Sequence, residues 1–282
     1  MRRKPNVLVY VLLVLGAIMI IFPMYLTIIS AFKPMDELTK SIFAWPSSFY
    51  LGNFKEVITK EGFLHSVINT VFITVVACVG VVLVVPLVSY AIARNMDQKK
   101  YYKFLYFFLL IGIFVPFQVK MMPLVQVMSN FHMLNVSGIT VVYIASSVCE
   151  GVFLYVAFIQ GVPGELEESA YMDGAGPLYT YGKIIFPLLK PMTATVLIMD
   201  GLWFWNDFFL PLLALNKTPD NYTLTLFIYN FKSQTTVNYS LIFAGLLLVM
   251  LPIMILYVFL QKQIMGRSGQ WCSKRLTERS RR

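Results

Sequence analysis

Six stretches of the chain are almost free of charged residues, and each runs for about twenty residues or more. A helix of about 20 apolar residues is long enough to cross a hydrocarbon layer of about 30 Å. We therefore predict an all-α membrane protein with six transmembrane helices, at Val7–Ile29, Val67–Ala93, Phe104–Met122, Gly138–Ile159, Met192–Leu215 and Ser240–Leu260.

Proline residues interrupt several of these predicted spans. The third span contains Pro116 and is followed by Pro123, so we predict a kink near its outer end. Pro86 and Pro252 mark further expected kinks. Proline is tolerated in such helices when neighbouring groups satisfy the freed backbone carbonyls.

The distribution of lysine and arginine predicts the orientation of the spans. With the N-terminus inside, the segments 1–6, 94–103, 160–191 and 261–282 hold 16 of the 23 basic residues. Cytoplasmic loops of membrane proteins are enriched in these residues. Both termini are therefore expected in the cytoplasm, and the chain is expected in the cell membrane as a multi-pass protein.

Composition supports this class and argues against others. Only 13% of the residues are charged, about half the usual share in soluble domains. The net charge of +9 comes from residues between the apolar stretches and in the tail at Arg267–Arg282, which favours contact with membrane lipid over nucleic acid. The apolar start is too long for a signal peptide, so it is expected to remain as the first span.

The pattern divides the chain into three regions. We expect a first span with its external loop at 1–65, a core of five spans at 66–266 and a basic cytoplasmic tail at 267–282. The cysteines and histidines are isolated, so no metal site and no catalytic residue is expected.

The inner loop between the fourth and fifth spans has an unusual sequence, from Glu165 to Pro191. Pro163 and three glutamates are typical of a helix start, because acidic side chains complement the helix dipole. Gly174 is placed to end that helix in a left-handed conformation, and Pro177 to begin the next. This hairpin either closes the bundle by itself or meets a partner protein; its acidic and small residues favour a partner.

The same loop resembles the signature of ABC import permeases. That signature is Glu-Ala-Ala, three residues, Gly, nine residues, Ile, one residue and Leu-Pro. The chain matches it with Glu168-Ser169-Ala170, Gly174, Ile184 and Phe186-Pro187. Ser169 replaces an alanine and Phe186 a leucine, and both departures are mild.

Other segments are similar to the sugar-importing, maltose-type branch of this family, as its second permease subunit. The similarity extends from about Asn53 to Gly266. It is carried by the segments Pro116-Phe117-Gln118, Met122-Pro123-Leu124, Leu134-Asn135, Trp205-Asn206-Asp207-Phe208 and Tyr222-Thr223-Leu224.

The resemblance implies that the loop docks on a separate ATPase and transmits its movement to the spans. The coupling residues it implies are Glu168, Ser169, Ala170, Asp173, Gly174, Ala175, Ile184 and Pro187. Leu166, Ile184 and Pro187 are expected to fix the hairpin to the spans.

The chain lacks the Gly-x-x-x-x-Gly-Lys-Ser/Thr phosphate loop, so it is expected to be non-catalytic and to bind no cofactor itself. ATP and Mg²⁺ are then expected on the partner ATPase dimer. The resemblance also implies a second, homologous permease and an extracellular or periplasmic solute-binding protein.

Ionisable and amide residues inside the predicted spans are candidates for the substrate pathway, because such groups are costly in a membrane. Together with two tryptophans they would suit a sugar, and the set is Glu150, Asp200, Trp203, Trp205, Asn206 and Asp207. The alternative is that they stabilise neighbouring helices. An ABC permease for a non-sugar solute and a proton-coupled secondary transporter remain alternative functions, and a membrane-embedded enzyme is a weaker one.

Overall fold

The structure is a computed structural model that describes residues 7–231 and 237–255 of the 282-residue chain. The described segments fold into helices, which confirms the predicted all-α class for this part of the chain. In chain order the α-helices are α1 (Val7–Ala31), α2 (Met35–Lys40), α3 (Gly52–Thr59), α4 (Phe63–Asn95), α5 (Lys100–Phe114), α6 (Phe117–Asn130), α7 (Val136–Ile159), α8 (Glu165–Met172), α9 (Pro177–Thr180), α10 (Phe186–Leu188), α11 (Lys190–Asn206), α12 (Phe209–Leu215), α13 (Leu224–Tyr229) and α14 (Tyr239–Ile255). A π-helix at Tyr181–Ile185 joins α9 to α10, and a 3-10 helix lies at Pro219–Asn221.

Three of these helices, α1, α4 and α7, are each long and apolar enough to cross a membrane. Two further spans are possible by length if each bent pair of consecutive helices counts as one span. The helix α14 is apolar but shorter in the described range, and the predicted continuation of the sixth span to Leu260 lies outside the described residues. The N-terminal residues 1–6 and the basic tail also lie outside them.

The predicted third span is broken rather than kinked. Its two parts, α5 and α6, meet at an angle of 106°. Val115 takes an extended conformation immediately before Pro116, because proline crowds the preceding residue out of the helical region. Pro116 then caps the start of α6, whereas Pro123 lies inside that helix without ending it.

The predicted fifth span, Met192–Leu215, is also two helices and not one. Helix α11 ends at Asn206, and α12 begins at Phe209 after an extended Asp207. Pro211 explains the break, because a proline ring clashes with the carbonyl of the residue four positions before it, here Asp207. A second bend of 72° separates α11 from the segment Pro177–Leu188.

The described residues group into two compact units, one of residues 65–223 and one of the residues before and after that range. In the first unit, α7 is the central helix, since 44% of its most apolar stretch is buried compared with 28% for α4. Glycines bring these two helices close together. A Cβ atom added at Gly80 would lie 2.3 Å from Ile144 Cδ1, and one at Gly151 would lie 2.5 Å from Val85 Cγ1.

The other unit is held together near the end of α1 by buried polar groups. The side-chain amide of Asn53 donates to the carbonyl oxygens of Ala31 and Lys33, at 2.9 and 2.8 Å. Lys33 is itself buried, and its ammonium group donates to the carbonyl oxygens of Ser41 and Ile42 at 3.1 Å each. These bonds give partners to backbone carbonyls that lie at or just after the ends of α1 and α2.

Candidate functional site

The loop that follows α7 begins with the eight-residue helix α8. Three glutamates lie in its first turn, where the helix dipole favours negative charge. Gly174 follows the helix with a φ of +81°, as the sequence predicted. The Ala175 N–H donates to Ala170 O at 2.9 Å, and the Gly174 N–H donates to Tyr171 O at 3.0 Å. This pair of bonds is the Schellman motif, which fixes where α8 ends and where the chain turns.

The second arm of the loop returns through α9, the π-helix and α10. Pro177 occupies the first turn of α9, as predicted, where its missing N–H costs nothing. In the π-helix the Phe186 N–H donates to Tyr181 O, five residues back. Pro187 has no N–H to give to the carbonyl of Lys183, which explains why the regular helical pattern is interrupted here.

A buried carboxylate fixes α8 to the end of α4. The Nε atom of Arg94 donates to Glu167 Oε1 at 2.7 Å, and the Tyr90 hydroxyl donates to Glu167 Oε2 at 2.8 Å. Arg94 also donates through a terminal nitrogen to the carbonyl oxygen of Val162 at 3.0 Å. Glu167 is only 7% exposed, and these hydrogen bonds from within the chain satisfy both of its carboxylate oxygens.

The second arm contacts the same end of α4. The ring of Tyr90 lies 5.3 Å from the ring of Tyr181, which in turn lies 5.9 Å from Phe186. Deeper anchoring comes from Ile185 and Leu189, which are buried. The three residues expected from the sequence to anchor the hairpin are placed differently: Leu166 and Pro187 are exposed, and Ile184 is half-buried.

A groove of about 630 Å³ lies along the hairpin. Six of the eight coupling residues that the sequence indicates line it, namely Ser169, Ala170, Asp173, Gly174, Ala175 and Ile184. Glu168 is exposed beside the groove, and Pro187 is exposed farther along the loop. The Ser169 hydroxyl donates to Glu165 O at 2.8 Å, so this serine needs no outside partner and presents a surface close to that of alanine.

Large apolar side chains project from the tip of the hairpin. Met172 is 88% exposed and Leu178 is 78% exposed, and Tyr179 is exposed next to them. Contiguous apolar side chains on a surface rimmed by polar residues are typical of a protein interaction site. The hairpin therefore has one face fixed to its own chain and one face open.

Comparison with known proteins assigns the family. Residues 86–267 match the family described as binding-protein-dependent transport system inner membrane component. The chain belongs to this family. It is thus a membrane component of a transport system, and the signature loop identified from the sequence lies within the matched range.

Similar proteins cover nearly the whole length of this inner membrane component. The multiple sugar-binding transport system permease protein MsmG of Streptococcus mutans is 42% identical, over 91% of this chain and 93% of that protein. The probable starch degradation products transport system permease protein AmyC of Thermoanaerobacterium thermosulfurigenes is 34% identical, over 93% and 96%. The melibiose/raffinose/stachyose import permease protein MelC of Bacillus subtilis is 31% identical, over 93% and 94%.

A solved structure has the same fold. It is the crystal structure of a bacterial ABC transporter involved in the import of the acidic polysaccharide alginate. The TM-score is 0.80, with 20% sequence identity, over 91% of this chain and 95% of that chain.

The candidate pathway residues of the inner membrane component lie in different surroundings. Asp200 is buried in α11, whereas Glu150 in α7 and Asn206 are exposed, and the Asn206 amide donates to Leu202 O at 2.7 Å. Trp203 is exposed and packs against Tyr143, with ring centres 5.5 Å apart, and Trp205 is half-buried.

Asp207 lies at the break between α11 and α12 and is half-buried. Its Oδ2 accepts a hydrogen bond from the Tyr143 hydroxyl at 2.7 Å, and its Oδ1 accepts one from the Phe209 N–H at 3.1 Å. A break in a span frees backbone groups that must find partners, and this carboxylate supplies one. These contacts fix the Asp207 side chain between α7 and the start of α12.

Proposed function

We propose that this chain is the permease subunit of an ATP-driven ABC importer for a sugar or oligosaccharide, and that the hairpin from Glu165 to Pro191 docks on a separate ATPase. The observation that carries the proposal is the division of α8 into two faces. Glu167 binds the helix to its own chain, while Met172 and the groove at Gly174 face outward. A helix held on one side and open on the other is suited to transmit a partner's movement.

The coupling role extends to each residue of the signature. Glu168 would meet a basic or amide group of the ATPase, and Ser169, Ala170 and Ala175 would keep the groove shallow enough for close approach. Asp173 and Gly174 shape the turn at the tip. Ile184 lines the groove from the second arm, and Pro187 interrupts the regular helical pattern of that arm.

A sugar is the proposed cargo because the similar proteins are named for sugar transport. We propose that the candidate residues lie along the translocation path in one of its conformations, namely Glu150, Asp200, Trp203, Trp205, Asn206 and Asp207. Hydroxyl-rich solutes suit carboxylate and amide groups, and aromatic rings suit the apolar faces of sugar rings.

The proposal includes three partners: an ATPase dimer that binds ATP and Mg²⁺, a second permease and an external solute-binding protein. It also includes six spans with both termini in the cytoplasm. The positive-inside distribution supports this orientation, since it places the hairpin on the side where ATP is available.

The test compares two substitutions at the hairpin turn. Asparagine and aspartate both tolerate a positive φ better than most residues, so Gly174→Asn and Gly174→Asp introduce similar backbone strain. They differ mainly in charge within the groove. We expect Gly174→Asp to lower uptake at least tenfold in vesicles containing the complete importer, and Gly174→Asn to retain most of it.

Co-purification of the ATPase with each variant separates docking from folding. We expect both variants to reach the membrane. Only the aspartate variant is expected to lose the co-purifying ATPase or its ATP-driven uptake. Wild-type uptake by Gly174→Asp would remove the hairpin from the coupling mechanism. Uptake that persists without ATP and stops when the proton gradient is removed would instead support a proton-coupled secondary transporter. Uptake of a non-sugar solute, without uptake of sugars, would support an ABC permease for a non-sugar solute.

A further inference from the structure

We propose that α4 is a direct part of the coupling pathway, with Arg94 and Tyr90 as positioning residues that make its cytoplasmic end follow α8. The proposal rests on the proposed docking of the hairpin on an ATPase. It goes beyond that docking because α4 is not adjacent to the hairpin in the sequence. The chain itself connects the hairpin only to α7 and α11.

The contacts that support this link come from one face of α4. Tyr90 and Arg94 are four residues apart, so their side chains lie on the same side of the helix. Together they contact the hairpin at the Glu167 carboxylate inside α8 and at the Tyr181 ring after it, and they also contact the Val162 carbonyl just before the hairpin. Contacts on both arms of a hairpin resist rotation as well as displacement.

The Arg94–Glu167 ion pair is costly to break. Glu167 is buried, and separation from Arg94 would leave a carboxylate with little access to water. Charge-assisted hydrogen bonds of this length are also stronger than neutral ones. Movement of α8 is therefore expected to carry the end of α4 with it.

Helix α4 is able to carry such a displacement across the membrane. It is continuous from Phe63 to Asn95, and the stretch from Asn69 to Arg94 measures about 37 Å at the usual rise of a helix. At the far end, the Asn69 amide donates to the carbonyl oxygens of Asp220 and Tyr222 at 2.8 and 3.1 Å. One continuous helix, which contains Pro86, thus links the ATPase-facing hairpin to the loop after α12.

The test uses the complete importer in vesicles and measures sugar uptake per ATP hydrolysed. Arg94→Ala removes both the ion pair and the bond to Val162, and we expect uptake per ATP to fall at least fivefold. Glu167→Gln is expected to give an intermediate loss, and Tyr90→Phe, which keeps the ring contact, a loss of less than twofold. Arg94→Lys keeps the charge and is expected to recover part of the coupling.

Matched controls come from the same inner segment. Asp97 and Lys100 are exposed, so Asp97→Asn and Lys100→Ala should leave uptake per ATP unchanged. A purely structural role would lower the amount of importer in the membrane without changing the ratio. An unchanged uptake per ATP in Arg94→Ala or in Glu167→Gln would overturn the proposal. If the Arg94→Ala importer does not accumulate in the membrane, the uptake per ATP of Glu167→Gln decides.

The Gly174→Asp variant, measured in parallel, separates this inference from the proposed function. If Gly174→Asp abolishes uptake and Arg94→Ala leaves uptake per ATP unchanged, the hairpin docks on the ATPase but α4 is not part of the pathway. If both variants behave as wild type, the docking proposal itself is wrong.

Discussion

The Tyr143 hydroxyl donates a 2.7 Å hydrogen bond to Asp207 Oδ2 and so connects the N-terminal third of α7 to the break between α11 and α12. The Tyr143 ring is buried and stacks on Phe204 with ring centres 4.8 Å apart. The same carboxylate accepts the N–H of Phe209 through its other oxygen. The broken span is thus held to its neighbour by one aromatic residue and one acid.

We expect Tyr143→Phe to destabilise the permease by roughly 0.6–2 kcal/mol, the usual range for a hydrogen bond between membrane helices or to a charged group. The ring contact with Phe204 remains, so the effect isolates the hydroxyl. Thermal unfolding in detergent would measure it as a lower Tm.

The matched control is Tyr101→Phe, because Tyr101 is exposed and its ring contact with Tyr102 does not need the hydroxyl. We expect no change in Tm for this variant. An equal loss in both variants would show that the Asp207 contact contributes nothing specific.

The break at Asp207 is a feature of the fold that hydrophobicity alone does not predict. The window Met192–Leu215 is mostly apolar and contains only two charged residues, so it satisfies the length rule for one span. The information was nevertheless present in Pro211, whose ring conflicts with a helical carbonyl at Asp207. Val115 before Pro116 carried the same local signal for the third span.

A second prediction concerns the contact between α4 and α7. A methyl group at Gly151 would lie 2.5 Å from Val85 Cγ1, and Val85 is fully buried and stiff at its branched Cβ. We expect Gly151→Ala to destabilise the protein by about 1–3 kcal/mol through overpacking. The measurement is again the Tm in detergent.

Two variants make this prediction specific. Gly16→Ala should not lower the Tm, since nothing lies within 4 Å of a Cβ atom at that position and alanine favours the helix more than glycine does. Val85→Ala combined with Gly151→Ala should be more stable than the sum of the two single changes, because the added methyl group fills part of the space that valine leaves. If the effects of Val85→Ala and Gly151→Ala on stability are strictly additive, overpacking against Val85 is not the cause of the destabilisation.

A third prediction concerns the buried amide near the end of α1. Asn53→Ala removes both donors and leaves the carbonyl oxygens of Ala31 and Lys33 without this partner. Because two buried acceptors lose a bond, we expect a loss of about 2–3 kcal/mol in the free energy of unfolding. Asn130→Ala, at an exposed residue, is the control and should leave the Tm unchanged.

The candidate site was predictable only where local chemistry determines conformation. The positive φ at Gly174 followed from the rule that glycine ends helices, and the start of α9 from the position of Pro177. Glu167 was not identified, because its partner Arg94 is distant in the sequence and a first-turn glutamate has a sufficient local explanation. An arginine at the inner end of a span and an acid in the next inner loop were the available signals.

The last prediction concerns Asp200, which is 6% exposed in α11. Its Oδ2 atom and the Oγ atom of Ser147 on α7 have no hydrogen-bond partner within the described part of the chain. A buried carboxylate oxygen without a partner is costly, so a functional requirement is the simplest reason for its presence. We expect Asp200→Ala to change the KM or the maximal rate of sugar uptake severalfold while the ATPase still co-purifies with the importer. The same variant should raise the Tm or leave it unchanged, because an unsatisfied charge has been removed.

Ser147→Ala, which removes the neighbouring hydroxyl, is expected to have a smaller effect on uptake. Wild-type kinetics in Asp200→Ala would remove this residue from the pathway, whereas a lowered Tm with unchanged kinetics would assign it a purely structural role.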